Sequence, residues 1–451
     1  MKHEFDELLR SFELTIDNPE EFDLHPSDIA YLLRKLHHRD HDKFLNFLNL
    51  VPAEFLGDVL LELPEKVKDE AIDYLTPEEL TQAVESLDSD DATDLHQDIS
   101  DKDEEKSQAV FQSLDEEDQE EITILSSYEE NQAGSFMQIE LFDANLTETI
   151  GDSIARLREK KLSGELDNIY QVFIVDDNQK LLGAMALEDL IIYDFGITFD
   201  EIIASGDYET RSVSAVEKIE NVALTFEKYD LTVIPVLDFK GKLIGRITSD
   251  DIYDVIEEVA TKQVYNLAGV NEDAESEDQF LGVVKKRSSW LFLNLFTAIL
   301  ASIVIAMFDD TLQAYIPLAI LMPIVASMGG NAGTQTLTVM VRQMALGEID
   351  SHNSKHVLQR EILIALFNGM IFATAMSIIA YFWFHTWLLG WVIALSMIIN
   401  LFAAGFFGAT IPLLLKRLDV DPAVGSTVLL TTVTDVIGFL SFLGLAKLIL
   451  V

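Results

Sequence analysis

Cysteine is absent from the 451 residues, which excludes disulfides and thiolate metal sites. Positive charge is also scarce: 31 Lys and Arg stand against 77 Asp and Glu, for a net charge of -46. A surface this acidic repels nucleic acid and anionic lipid, so neither is an expected partner. The first residues, MKHEFDELLRSFEL, carry no apolar run after the basic residue and do not read as a cleaved secretory signal. No nucleophile–base constellation and no phosphate-cradling loop is present, which argues against an enzyme.

The acidity is confined to one part of the chain. From Lys285 to Val451 there are nine basic and eight acidic residues, so nearly all the excess negative charge precedes residue 285. That region reads either as a disordered solvating tail or as a folded surface that needs cations to hold its carboxylates together. Apolar residues at helical spacing favour the folded surface.

After Trp290 come five long apolar segments: Trp290 to Phe308, Tyr315 to Val341, Ile362 to Phe384, Trp387 to Leu415 and Ala423 to Leu450. Each reaches the roughly 20 residues that cross a bilayer. Lys285, Lys286 and Arg287 precede the first, Arg342, Lys355 and Arg360 lie between the second and third, and Lys416 and Arg417 between the fourth and fifth. Basic loops remain cytoplasmic. A multi-pass cell-membrane protein is expected, with its acidic N-terminal part inside and its C-terminus outside.

Polar groups inside these segments carry the functional signal. Thr431-Thr432-Val433-Thr434-Asp435 contains the only carboxylate of the fifth span. Asp435 reads as a cation ligand in a pathway, or as a neutral Asp bonded to a neighbouring helix. One carboxylate with carbonyls and retained water suits Mg2+, and the Thr431 carbonyl and the threonine hydroxyls, Thr434 among them, are candidate outer-shell oxygens. No Cys is available and the fifth span has no His, which points to an oxygen-only site. Met322-Pro323 and Gly329-Gly330-Asn331-Ala332-Gly333-Thr334-Gln335 suggest a helix that is either broken or closely packed. Gly330, Asn331 and Gln335 are candidate pathway-lining residues. Asn400, Gly405, Gly408 and Pro412 repeat that signal more weakly.

Before the membrane segments, two stretches repeat 62 residues apart, pairing Asp176 with Asp238, Lys180 with Lys242, Gly183 with Gly245 and Asp189 with Asp251. Each is read as a strand, a polar turn, a second strand ending at Gly and a helix opening near an acid. The pair resembles tandem CBS domains. Thr248-Ser249-Asp250-Asp251 matches that family's Ser/Thr-x-x-Asp ribose signature, which implies an adenosine nucleotide such as ATP at Thr248 and Asp251. The first copy has Ala186 in place of the hydroxyl, and a purely structural pair is the other reading. Residues 5 to 130 show helical spacing punctuated by Pro, Ser, Thr and Asp, as in HPSDIAYLLRKL and TPEELTQAVESLD, and predict an array of short helices stacked in a superhelix.

The expected organisation is an acidic, all-α superhelical domain over 1–131, α/β CBS domains over 132–199 and 200–259, a connecting helix over 260–284 and five transmembrane helices over 285–451. This order resembles the MgtE family of magnesium channels, with YEENQAG from Tyr128, GGNAGTQ in the second span, LDVDPA, and TTVTD in the fifth. The resemblance implies Mg2+ influx through a homodimeric pore, closed when cytoplasmic Mg2+ binds between acidic domains and moves a "plug" helix. It implies Asp435 as pore ligand and Asp90, Asp94, Glu220, Asp230, Asp251 and Asp254 as sensor carboxylates. It also implies that Asp421, near the cytoplasmic mouth, meets the plug. The chain departs from the family at Lys218, Val259, Lys262, Gln263 and Thr427. Two competing readings are an ion-coupled carrier of divalent cations with Asp435 as a proton or ion relay, and a membrane-anchored nucleotide sensor.

Overall fold

Proline and small polar residues cut the first 125 residues into short helices. The computed structural model describes residues 2–16, 24–164, 166, 168–206, 208, 210–270, 280–349, 353–418 and 420–450. In the first part lie α1 (Lys2–Ile16), α2 (Pro26–Arg39), α3 (His41–Leu48), α4 (Ala53–Leu61), α5 (Glu65–Tyr74), α6 (Pro77–Glu85), α7 (Ser89–Lys102), α8 (Glu104–Ser113) and α9 (Glu116–Leu125). Their starts follow the sequence chemistry. Thr76 and Glu79 form a reciprocal capping box at α6, and Asp40, Asp103 and Asp115 accept backbone N–H bonds at α3, α8 and α9. Pro52 and Pro64 precede α4 and α5. Each helix turns an apolar face inward, and Phe12, Leu33, Phe44, Val59, Ile72 and Leu95 share one buried core.

Two three-stranded sheets follow. The first joins β1 (Asp143–Asn145), β2 (Gln171–Val175) and β3 (Leu181–Ala186), with α10 (Ile150–Ser163) between β1 and β2 and α11 (Phe199–Ser205) after β3. The second joins β4 (Val213–Ser214), β5 (Val233–Leu237) and β6 (Leu243–Thr248), with α12 (Ile219–Tyr229) between β4 and β5. Both have the same order and the same register: Ile174 faces Gly183 as Val236 faces Gly245. Their turns are also alike. Asp176 accepts bonds from the Asn178 and Lys180 amides, and Asp238 from those of Lys240 and Lys242. The next turn residue has positive φ in both, +62° at Gln179 and +80° at Gly241. The repeat read from the sequence is therefore a structural repeat.

From β6 the chain enters α13 (Ser249–Ala268). The connecting helix expected over 260–284 is described at its two ends. Residues 260–268 complete α13, because no Pro or Gly interrupts helix propagation before Gly269, and 280–284 open the next helix. Residues 271–279 of the expected connector lie outside the described residues.

The chain divides into two compact units, Met1–Glu257 and Glu258–Val451. In the second, α14 (Phe280–Ala306), α16 (Ile316–Ala345), α17 (Ser354–Phe384), α18 (Trp387–Arg417) and α19 (Ser426–Ile449) are long and apolar enough to span a membrane, and α15 (Asp309–Ala314) is a short link. α14 and α17 start earlier than their apolar runs, because the helix continues through Lys285–Arg287 and through Lys355–Glu361. α18 is the hub, with 61% of its apolar window buried inside the unit against 6% for α14.

Pro323 and the Gly cluster do not break α16, which is continuous. The close-packing reading holds for Gly329 and Gly333. A Cβ on Gly329 would lie 2.3 Å from Asn400 Nδ2, and one on Gly333 would lie 3.0 Å from the Leu430 side chain. Asn400, Gly405, Gly408 and Pro412 are buried, which favours the close-packing reading of the weaker signal on α18. Asn400 donates to the Val325 carbonyl at 2.8 Å and occupies the space left by Gly329 and Gly438. In a bilayer an interhelical bond of this kind contributes about 1 kcal/mol.

Candidate cation sites

The first candidate lies within the unit Met1–Glu257, where α7 meets the start of α13. The N-terminus of α7 is tied down by Glu140, which accepts from the Ser89 amide at 2.9 Å and the Ser89 hydroxyl at 2.8 Å. This presents Asp90, Asp91 and Asp94 toward Asp251 and Asp254, with Asp58 and Glu62 of the α4 end nearby. Asp90 is 5% exposed, and its Oδ1 has no hydrogen-bond partner among the described residues. Burial, then the Asp251 charge, holds its carboxyl well above the usual carboxylate range. Burial and the Asp251 charge push Asp91 up to about 7. Asp94 reaches solvent, yet the protein mass around it and the charge of Asp98 push it to about 6. Asp251 is pushed to about 6, chiefly by burial and against the hydrogen bonds from Thr248 that lower it. The set has little positive charge to balance it, Lys68 beside Asp94 and His25 beside Asp58, and its oxygen donors are the type a hard divalent cation takes.

Of the six sensor carboxylates that the resemblance implies, the structure brings Asp90 and Asp94 together with Asp251 and, one turn on, Asp254. It does not bring Glu220 or Asp230 to the same place. They lie at opposite ends of α12, both exposed, about 15 Å apart along the helix. Asp91, Asp58 and Glu62 were missed. Asp91 was legible as the neighbour of Asp90, whereas nothing in the sequence marks the end of α4. A second crowded group was also missed: burial and neighbouring acids push Asp118 to about 6 and Glu121 to about 7, with Glu140 acting on both.

The Thr-x-x-Asp signature has a defined local geometry. The Thr248 hydroxyl donates to Asp251 Oδ2 at 2.8 Å and the Thr248 amide to the same oxygen at 3.3 Å. Thr248 thereby opens α13, and Asp251 belongs to both the signature and the acidic cluster.

In the membrane helices, Asp435 is half-buried in α19 and has no hydrogen-bond or ion-pair partner among the described residues of the single chain. Thr434, expected beside it in the pathway, is fully buried, and its hydroxyl donates to the Leu430 and Thr431 carbonyls. It packs against the bundle because it is one position, about 100°, away from Asp435. The Thr431 carbonyl already accepts from Thr434 at 3.1 Å, and the Thr431 hydroxyl donates to Thr427 O at 2.9 Å. On α16, Asn331 and Gln335 are exposed and Gly330 partly so, and Asn331 donates to Ser327 at 3.4 Å. Glu361, a further buried carboxylate unremarked in the sequence, accepts from Thr336 at 3.3 Å.

Within the unit Glu258–Val451, the last turn of α13 sits at one end of the bundle. Asn266 donates to Asp421 Oδ2 at 3.0 Å, and the Thr427 hydroxyl donates to the Leu267 carbonyl at 2.9 Å. Leu267 packs against Leu337, Val341, Ala423 and Leu430. Asp421, expected to meet the connector, meets Asn266, which lies within the expected connector 260–284 and in the last turn of α13.

Comparison with known proteins matches this organisation. The MgtE family, described as divalent cation transporters, matches residues 322–445; the MgtE intracellular N domain matches 24–131 and the CBS domain 207–258. The magnesium transporter MgtE of Thermus thermophilus is 30% identical over 95% of this chain and 94% of its own length. That of Bacillus subtilis is 26% identical over 97% and 94%. The solved cytosolic domain of the Mg2+ channel MgtE in complex with ATP is 28% identical, covers 56% of this chain and all of that one, and superposes with a TM-score of 0.50. With a helical N domain, a CBS repeat and a five-helix membrane part in this order, the chain belongs to the MgtE family of magnesium transporters.

Proposed function

We propose that this protein is a homodimeric Mg2+ channel for influx, closed by intracellular Mg2+ bound between its helical N domain and its second CBS domain. The observation that carries the reading is the convergence of Asp90, Asp91 and Asp94 with Asp251 and Asp254, one of whose buried oxygens lacks a donor. Bound Mg2+ offsets the repulsion only when these elements are close, so it favours the compact state. The domain limits read from the sequence serve this scheme, except that α13 carries the connector's role as far as Ala268. Glu220 and Asp230 remain candidate ligands toward a second copy.

The permeation path would run past Asp435, with Asn331, Gly330 and Gln335 along it. Hydrocarbon does not solvate amides or carboxylates, so the exposed polar face of α16 and the unpartnered Asp435 call for a second copy or water. The basic segments at 285–287, 342–360 and 416–417 support an N-terminal unit inside and a C-terminus outside. Thr248 and Asp251 would hold the ribose of a regulatory ATP.

The test is Mg2+ uptake into liposomes by the full chain and by Asp435→Ala. Flux through the variant should fall to background while its N-terminal unit keeps its protease pattern. Undiminished flux would remove Asp435 from the path. A coupled carrier with Asp435 as relay would instead show flux driven by a pH or Na+ gradient without a Mg2+ gradient. Against it, no Lys, Arg or His side chain pairs with Asp435 among the described residues.

A further inference from the structure

One group of metal-ligating side chains lies apart from the carboxylate cluster. α2 ends at Arg39 and α3 begins at His41, with the single residue Asp40 closing one and capping the other. That corner brings His37, in the last turn of α2, beside His41, with ring centroids 6.0 Å apart and planes at 76°. Glu70 reaches across from α5. Its Oε2 lies 2.6 Å from His37 Nε2 and its Oε1 3.2 Å from His41 Nε2. The three groups offer donor atoms within 4.8 Å of one another. Phe44 lies behind both rings, edge-on to His37 at 5.2 Å and stacked on His41 at 5.9 Å, and fixes their orientation. His37 Nδ1 is buried without a partner among the described residues, so Nε2 is that ring's available nitrogen.

We propose that His37, His41 and Glu70 form a site for a borderline divalent transition-metal ion of the Zn2+ class. Two imidazole nitrogens and one carboxylate match a three-ligand Zn2+ set with water in the fourth position. Tetrahedral bonds of about 2.0–2.1 Å place ligand atoms about 3.3 Å apart. The His41 contact already has that span, and the His37 contact needs to open by less than about 1 Å, within reach of the Glu70 side chain. Mg2+ is excluded by type, since it demands oxygen ligands in octahedral array. The site thus reads a different class of ion from the carboxylate cluster. Its ion ties α2, α3 and α5 together.

The test titrates Zn2+ alone into the full chain in detergent by calorimetry, with Mg2+ held at saturation to block the carboxylate sites. The expected result is one Zn2+ per chain. His41→Ala and Glu70→Gln should each weaken that site by more than about tenfold, and His38→Ala should leave it unchanged. Co2+ in place of Zn2+ should give the visible absorption of a tetrahedral site in the wild type and not in His41→Ala. Both ligands are partly exposed and Glu70→Gln is isosteric, so the variants keep the packed core; far-UV circular dichroism checks this. No Zn2+ binding by the wild type, equal binding by His41→Ala and Glu70→Gln, or complete displacement by Mg2+ overturns the proposal.

Discussion

Asp91 offers the sharpest test of whether the acidic cluster is held together at a cost. Burial and the charge of Asp251 push its carboxyl from 3.8 to about 7. Because the folded pKa lies above the unfolded one, the folded state holds more protons between the two values. The associated stability is fully present below about pH 4 and is lost as pH rises through about 7. Written as free energy, the difference is about 4 kcal/mol, and allowing for water at its flank leaves about 2 kcal/mol. Asp91→Asn keeps the size of the side chain and removes that charge. In Mg2+-free buffer near pH 8, hydrogen exchange of amides in α7 and in the first turns of α13 should slow by about 30-fold, the equivalent of about 2 kcal/mol. Added Mg2+ should slow exchange strongly in the wild type and less in the variant. Tryptophan fluorescence is the wrong assay, since all four tryptophans lie at or beyond Trp290. The scale is functionally sufficient, because shifting a population from 1:99 to 99:1 takes about 5.5 kcal/mol and several carboxylates contribute. Unchanged or faster exchange in the variant, or wild-type exchange indifferent to Mg2+, would refute the account.

Two further outcomes follow from the geometry. Gly329→Val drives side-chain atoms into Asn400, and it should lower the detergent-resistant thermal midpoint of the membrane unit by an amount equivalent to about 1–3 kcal/mol; an unshifted midpoint in scanning fluorimetry, where the tryptophans do report, would show that the helices part freely. Thr248→Val removes the hydroxyl that the ribose signature requires and its bond to Asp251, so ATP affinity measured by calorimetry should fall about tenfold; unchanged affinity would place the nucleotide elsewhere or nowhere.

The sequence was most legible where one physical rule acts along a continuous stretch. Five apolar runs gave five long helices, although their ends extended past the hydrophobic residues because a helix does not stop where the lipid does. The repeat survived down to strand register because the Asp that closes each turn and the Gly that faces the neighbouring strand are local requirements. Chemistry assembled across distance was harder to see. His37 and His41 are four apart, but a helix break separates them and Glu70 arrives from another helix. Asp58 joins the acidic cluster only because of how α4 packs. Polar residues in membrane helices were ambiguous for a physical reason: an amide beside glycines suits both a wet path and a dry contact. Asn400 proved to be buried between helices, while Asn331 stays on the surface.

The Asn400 contact has a consequence for how this bundle changes over time. One amide fills the space left by two glycines on two different helices, Gly329 and Gly438. Neither glycine can acquire a side chain while the asparagine stands, and the asparagine cannot shrink without opening a void between three helices. The three positions therefore form a single heritable character. Lineages that drift here should change the three positions in concert, with the asparagine lost before either glycine grows.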